Sequence, residues 1–206
     1  MAVARDRAAA TAGSLYLNAF VLGSVLMGFE MLGSRYLFPY FGGSIGTWAG
    51  LISTVLVALT GGYFAGGAIV DRHPTPRVIA IAVGLAALYL TAVPASADYV
   101  MSSILRSVGA DVVGIVLAAS ALLLLPLSLL GMFSPVAIRL LIRSTTETGR
   151  IAGVVYGVST IGNVFGTLFT TFFLIPTLGS RAITYLFAGV LAASAVSLFL
   201  LPGKAR

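Results

Sequence analysis

The sequence predicts an all-α membrane protein with six transmembrane helices, and two observations support this prediction. Hydrophobic residues make up 59% and charged residues only 9% of the 206 residues, whereas a soluble domain carries about 25% charged residues. Six separate segments are also apolar enough to cross the hydrocarbon core, which takes about 20 residues of helix. Because so few charges cannot cover a soluble surface, we expect the exterior to face the lipid bilayer.

The six segments form one domain that comprises residues 1–206. Proline marks the breaks between them: Pro74 and Pro76 separate the second segment from the third, Pro94 ends the third, and Pro176 follows the fifth. The loops are too short to hold a folded soluble domain. The predicted spans are approximately 15–36, 47–70, 78–97, 112–133, 151–175 and 182–201.

The basic residues predict the orientation of the chain. Nine of them fall on one side of the spans and three on the other. Since Lys and Arg collect in cytoplasmic loops, we expect a multi-pass protein of the cell (inner) membrane with both termini in the cytoplasm. The net charge of +6 is then a topology and lipid-headgroup signal, and no nucleic-acid partner is expected. The nine are Arg5, Arg7, Arg72, Arg77, Arg139, Arg143, Arg150, Lys204 and Arg206, and the three are Arg35, Arg106 and Arg181.

Catalytic and metal-binding chemistry has little to draw on in this sequence. The chain has no cysteine and a single histidine, and it shows no cluster of His and carboxylate residues and no Gly-rich phosphate loop. We therefore expect no enzyme activity, no metal and no cofactor.

The second and fifth spans carry small residues at four-residue spacing, which places them on one helix face. Such stripes let two helix backbones approach closely in lipid. They either pack within one chain or join two copies in a homodimer, and the third and sixth spans, plain in composition, are expected to be peripheral and lipid-facing. The candidate dimer-packing residues are Gly62, Gly66, Gly157, Gly162 and Gly166.

The order of the spans suggests an internal repeat. A polar-bearing span, a Gly-rich span and a plain span occur twice in succession. Because each repeat has an odd number of spans, its two copies must be inverted, which is a recurring transporter plan. The prediction is a 3+3 inverted repeat.

The loop after the second span carries Gly67, Asp71, Arg72 and Arg77. These residues resemble the cytoplasmic signature of the major facilitator superfamily, although its internal Gly is missing and two prolines occupy the turn. The resemblance implies a gating loop that contains Asp71, Arg72 and Arg77.

A wider resemblance covers most of the chain. The segments 28–30, 41–42, 131–139 and 149–166, with Trp48, are similar to the membrane portion of fused major-facilitator/spermidine-synthase-like proteins. This similarity implies six helices equivalent to one half of a major-facilitator-type transporter. The soluble aminopropyltransferase-like domain that often accompanies those helices is absent from this sequence.

Three polar residues within or beside the spans are candidates for substrate or proton binding: Glu30, Asn163 and Arg35. A carboxylate inside a span costs about 2.5–3.5 kcal/mol unless it is paired or hydrated. Arg35 lies five residues after Glu30, about 140° around the helix, so the two are poorly placed to pair. Glu30 is therefore a structural carboxyl group, a proton or cation site, or a residue whose side chain reaches the membrane interface. Asn163 either forms a hydrogen bond between two helices or contributes to a binding site.

Two functions remain open at this point. The first is a half-size transporter that acts as a homodimer on a small organic cation or polyamine. The alternative is a membrane anchor or regulatory subunit for a separate soluble aminopropyltransferase-like enzyme.

Overall fold

A computed structural model of the chain describes residues 2–142 and 144–202, and the side chains of residues 10–142, 144 and 146–202. It contains six helices that are long and apolar enough to cross a membrane, which confirms the predicted fold class. Of the basic residues used to predict orientation, Arg143, Lys204 and Arg206 lie outside the described residues. The helices are α1 Ala2–Phe41, α2 Ile45–Arg72, α3 Pro76–Val108, α4 Val112–Leu141, α5 Thr148–Thr177 and α6 Ser180–Phe199.

The starts of α2 and α4 follow from capping residues in the sequence. The Ser44 side chain accepts a hydrogen bond from the backbone N–H of Thr47, 3.2 Å away. The Asp111 carboxylate does the same for the backbone N–H of Gly114, at 3.0 Å. Each cap satisfies a backbone donor that would otherwise be left without a partner at the helix terminus.

The break predicted at Pro94 is wrong, because α3 continues through it to Val108. Proline removes only one helical hydrogen bond, and contacts beyond it hold the extension. The Asp98 carboxylate forms an ion pair with Arg181 at 2.8 Å and accepts a hydrogen bond from the Tyr40 hydroxyl at 3.2 Å. The part of α3 just beyond Pro94 is thereby joined to the end of α1 and the start of α6.

Burial differs between the helices in a way that the sequence did not predict. α1 lies at the centre, with 61% of its most apolar window buried, and α3 follows with 50%. The same fraction is 39% in α6, 28% in α2 and only 22% in α5. Within one chain, therefore, α2 and α5 expose the most surface, contrary to the expectation that the third and sixth spans are the peripheral ones.

The glycine stripes of α2 and α5 account for two close helix contacts inside the chain. A Cβ added at Gly66 would lie 2.8 Å from the Cα of Met132 on α4, and one added at Gly166 would lie 2.6 Å from the Cα of Ser24 on α1. Cβ atoms at Gly62 and Gly162 would likewise collide with backbone atoms of α4 and α1. The prediction that these four glycines pack between copies is corrected accordingly, while a Cβ at Gly157 would meet nothing within 4 Å.

These two contacts are equivalent if the first three helices are matched in order with the last three, so that α1 corresponds to α4, α2 to α5 and α3 to α6. Under this matching, the α2–α4 contact corresponds to the α5–α1 contact. The remaining pair, α3 and α6, pack against each other. This pattern is what an internal repeat predicts, and the 3+3 inverted repeat itself stays a prediction.

A π-helical turn interrupts both α4 and α5, at Ser120–Leu124 and Thr170–Leu174. Each turn is followed two residues later by proline. In a π turn each backbone N–H bonds to the carbonyl five residues earlier. Residue 126 would therefore bond to the carbonyl of Ala121, but proline has no N–H to donate. The hydroxyl of Tyr89 on α3 donates to that carbonyl instead.

Candidate functional site

A cleft runs between α2 and α5, and its floor is formed by α1 and α4. Its inner part holds a cavity of about 30 Å³ lined by residues from all four helices. A water molecule needs about 10–15 Å³ measured in this way, so the cavity has room for water but not for an organic cation. Its polar lining consists of Tyr63, Ser134, Ser159 and Asn163.

Asn163 closes one side of this cavity by joining α5 to α1. With the amide oriented to suit its neighbours, its nitrogen donates to the carbonyl of Gly23 at 2.9 Å and to that of Ser159 at 3.3 Å. The interhelical hydrogen bond foreseen for Asn163 is therefore present, and the same side chain also lines the cavity.

Glu30 lies farther along α1 than the cavity and is not part of the cavity lining. It follows the cavity-lining residues Gly23 and Leu26 by seven and four positions, which places it on the same helix face, about 10 Å from Gly23. Glu30 is only 6% exposed. Among the described residues, none forms a hydrogen bond or an ion pair with its carboxyl group.

Thr171 lies at a similar depth on α5. Gly162, Gly166 and Thr170 approach successive turns of α1, and a Cβ built at Gly28 would lie 2.6 Å from the Thr170 hydroxyl. The two helices therefore run parallel in register, so Thr171 is level with Glu30. The Thr171 hydroxyl is buried and has no hydrogen-bond partner within the described part of the chain. Two polar groups without partners among the described residues thus occur at one depth of neighbouring helices, and of the two the Thr171 hydroxyl is the more completely buried.

Sequence reasoning missed this property of Thr171, although a signal was present. Ser159, Asn163, Thr167 and Thr171 recur every four residues, which aligns them along one face of a helix. Spacing alone does not show which hydroxyls find partners. Thr167 bonds the carbonyl of Asn163 at 2.9 Å, whereas Thr171 lies within the π turn.

Arg35 does not join Glu30 and Asn163. It is exposed on another face of α1 and lines a separate cavity of about 340 Å³ with the end of α5 and the start of α6. Asn163 therefore lines the cavity, Glu30 lies on the same face of α1 about two turns farther along, and Arg35 lies on another face.

The residues of the predicted gating loop contact different helices. Asp71 at the end of α2 forms an ion pair with Arg139 of α4 at 3.8 Å, and both side chains are exposed. The guanidinium of Arg77 lies 5.6 Å from the centre of the Phe199 ring on α6, and Arg72 is exposed. These contacts tie the loop to α4 and α6, and its action as a gate stays a prediction.

Metal binding has no candidate site among the described side chains, those of residues 10–142, 144 and 146–202, since no three His, Asp or Glu side chains lie together there. Comparison with known proteins gives no relative: no family model, no curated protein and no solved structure matches the chain. The fold and the cleft define an integral membrane protein of six helices.

Proposed function

We propose that this membrane protein is a half-size transporter that acts as a homodimer, with Glu30 as the residue that binds a proton or a cationic substrate. The main support is the state of Glu30, a buried carboxyl group for which the described residues provide no partner. A carboxylate inside a membrane is costly and is typical of ion and proton pathways. The resemblance to half of a major-facilitator transporter agrees with this proposal.

The exposed walls of the cleft support the homodimer. Tyr63 on α2 and Tyr156 on α5, which lies on the same helix face as Asn163, are 40% and 47% exposed, and a Cβ at Gly153 or Gly157 would meet nothing within 4 Å. A second copy facing the cleft would cover these surfaces and enclose the space above Glu30. The cavity of about 30 Å³ in the cleft of one chain is too small for an organic molecule, so a substrate site in this cleft needs such a partner wall.

The proposed substrate is a small organic cation or a polyamine. Its ammonium group would form a charge-assisted hydrogen bond with the Glu30 carboxylate. The ring of Tyr63, which lines the cleft, offers a second attraction because cations bind aromatic faces. A proton and the substrate would then compete for one carboxyl group.

Uptake of radiolabelled spermidine into proteoliposomes tests this proposal. Glu30→Gln removes the charge and keeps the shape, so we expect uptake to fall by about tenfold or more, given roughly 1.5–3 kcal/mol for a hydrogen bond to a charged group. Glu147→Gln is the control, because Glu147 lies outside the spans and pairs only with Arg150 in the described structure.

Three outcomes would contradict the transporter proposal. Folded protein could show no uptake of spermidine or of other organic cations, or Glu30→Gln could transport as well as the unchanged chain. If Glu30→Gln unfolds, Glu30 is a structural group instead. Absence of uptake together with stable binding of a soluble aminopropyltransferase-like enzyme would favour the anchor function.

The homodimer has its own test, based on two open glycines. Gly157 on α5 faces the proposed interface and Gly189 lies on α6, and added Cβ atoms meet nothing within 4 Å at either position. We expect Gly157→Leu to weaken association in lipid nanodiscs and Gly189→Leu to leave it unchanged. A protein that is monomeric in nanodiscs yet fully active in uptake would refute the dimer.

A further inference from the structure

A second groove runs along another face of α1, between α5 and α6. Its inner part is an apolar cavity of about 310 Å³ that reaches Leu174, and its outer part is the 340 Å³ cavity at Arg35, which begins at Ile175. The lining of the outer cavity therefore begins on α5 where that of the inner cavity ends.

The helix geometry of α1 shows that both cavities lie on the same side. Ser24 lines the inner cavity and Arg35 the outer one. Eleven residues separate them, which is close to three full turns. Between them lies Gly28, where the missing side chain leaves space for the Thr170 hydroxyl and the Phe187 ring. The two cavities are therefore aligned in one groove along this side of α1, and at Gly28 the Thr170 hydroxyl and the Phe187 ring form its floor between them.

A row of aromatic rings forms one wall of the groove. The ring centres of Phe20 and Phe165 are 5.5 Å apart, those of Phe165 and Phe169 are 5.2 Å apart, and those of Phe169 and Phe173 are 5.5 Å apart. Stacked rings of this kind make a preformed apolar surface. A flexible hydrocarbon chain would fit against it without prior rearrangement of the protein.

The outer end of the groove carries an unneutralised positive charge. Arg35 is exposed and, among the described residues, has no acidic partner. Arg181, at the start of the neighbouring helix α6, is already paired with Asp98 at 2.8 Å. An anionic group that enters the groove mouth would therefore meet the guanidinium of Arg35.

We propose that this groove binds one phospholipid, with an acyl chain along the aromatic wall and an anionic headgroup at Arg35. One leaflet contributes about 15 Å of hydrocarbon, which corresponds to about ten residues of helix. Ten residues inward from Arg35 lies Val25, which lines the apolar cavity. The groove therefore matches a lipid in both charge and length.

Native mass spectrometry of the purified chain, incubated with equal amounts of phosphatidylglycerol and phosphatidylcholine, tests this inference. We expect one bound lipid with about a fivefold preference for phosphatidylglycerol, the effect of one basic residue near an anionic lipid. Arg35→Gln should abolish the preference. Arg106→Gln is the control, since Arg106 is exposed and does not line the groove.

A second pair of variants tests the acyl-chain position. Val190 lines the groove, whereas Val196 on the same helix is 60% exposed and lies outside it. Val190→Trp should reduce lipid retention at least about fivefold while Val196→Trp leaves it unchanged. Equal retention in both variants would overturn the proposal, as would an unchanged headgroup preference in Arg35→Gln. If Val190→Trp instead abolishes dimer formation and leaves lipid binding unchanged, the groove binds a second copy of the chain and the lipid proposal is refuted.

Discussion

The side chain of Asn163 on α5 donates a hydrogen bond to the backbone carbonyl of Gly23 on α1, 2.9 Å away. This contact depends on the glycine, because a Cβ at position 23 would lie 2.9 Å from the amide group of Asn163. A polar residue in the middle of one span thus bonds to the backbone of another at a place where the missing side chain exposes it.

Asn163→Ala should destabilise the protein by about 0.5–1.5 kcal/mol, the usual range for a hydrogen bond between membrane helices. Unfolding by SDS in mixed micelles measures this change. Thr160→Ala is the matched control, because Thr160 is exposed on the same helix. An equal effect of the two substitutions would show that the contact with Gly23 contributes nothing to stability.

Gly162→Ala and Gly157→Ala should have opposite effects on stability. A Cβ at Gly162 collides with the backbone of Phe20 and should cost about 1–3 kcal/mol through overpacking. At Gly157 the space is open, so alanine should gain about 0.5–1 kcal/mol through its higher helix propensity. Thermal unfolding in detergent measures both changes. If both variants melt at the same temperature, the α1–α5 contact is looser than described.

Tyr89→Phe should cost about 1 kcal/mol, because it removes the hydroxyl that donates to the carbonyl of Ala121. Tyr99→Phe is the control, since Tyr99 is 74% exposed on the same helix. Pro126→Ala restores a backbone N–H and should therefore reduce the cost of Tyr89→Phe in a double-mutant cycle. Additive effects in SDS unfolding would mean that the hydroxyl does not replace the donor missing at proline.

The orientation can be tested with single cysteines, because the chain has none of its own. Ser44 and Ser107 are exposed at one end of the bundle, and His73 is exposed at the other. The distribution of basic residues predicts that Ser44→Cys and Ser107→Cys react with an impermeant maleimide added outside intact cells. Under the same conditions His73→Cys should stay unlabelled until the cells are opened. The reverse pattern would place both termini outside.

The sequence was a good guide to the helices and a weaker guide to their neighbours. Length and apolarity revealed six spans because the bilayer imposes both requirements on every crossing. Pro94 misled the prediction of α3, since the contacts of Asp98 that hold the extension come from distant parts of the chain.

The candidate site was predictable only in part. The depth of Glu30 followed from its position in the first span, and the interhelical bond of Asn163 was one of two alternatives. Arg35 was grouped with them as a polar residue beside the first span, although its position about 140° around the helix from Glu30 already indicated the other face on which it lies. Composition also suggested that Gly-rich spans mediate dimerisation, yet most of these glycines face helices of their own chain.

The close contacts at Gly62 and Gly162 also restrict how the bundle can move. Backbone packed directly on backbone leaves no side chains to slide past one another, so α2 and α4 should travel as one rigid body, and α1 and α5 as another. Any widening or narrowing of the cleft must then come from rotation of one pair against the other. The Asn163–Gly23 bond lies within a pair and would persist throughout such a rotation, while the small water-sized cavity between the pairs would change volume.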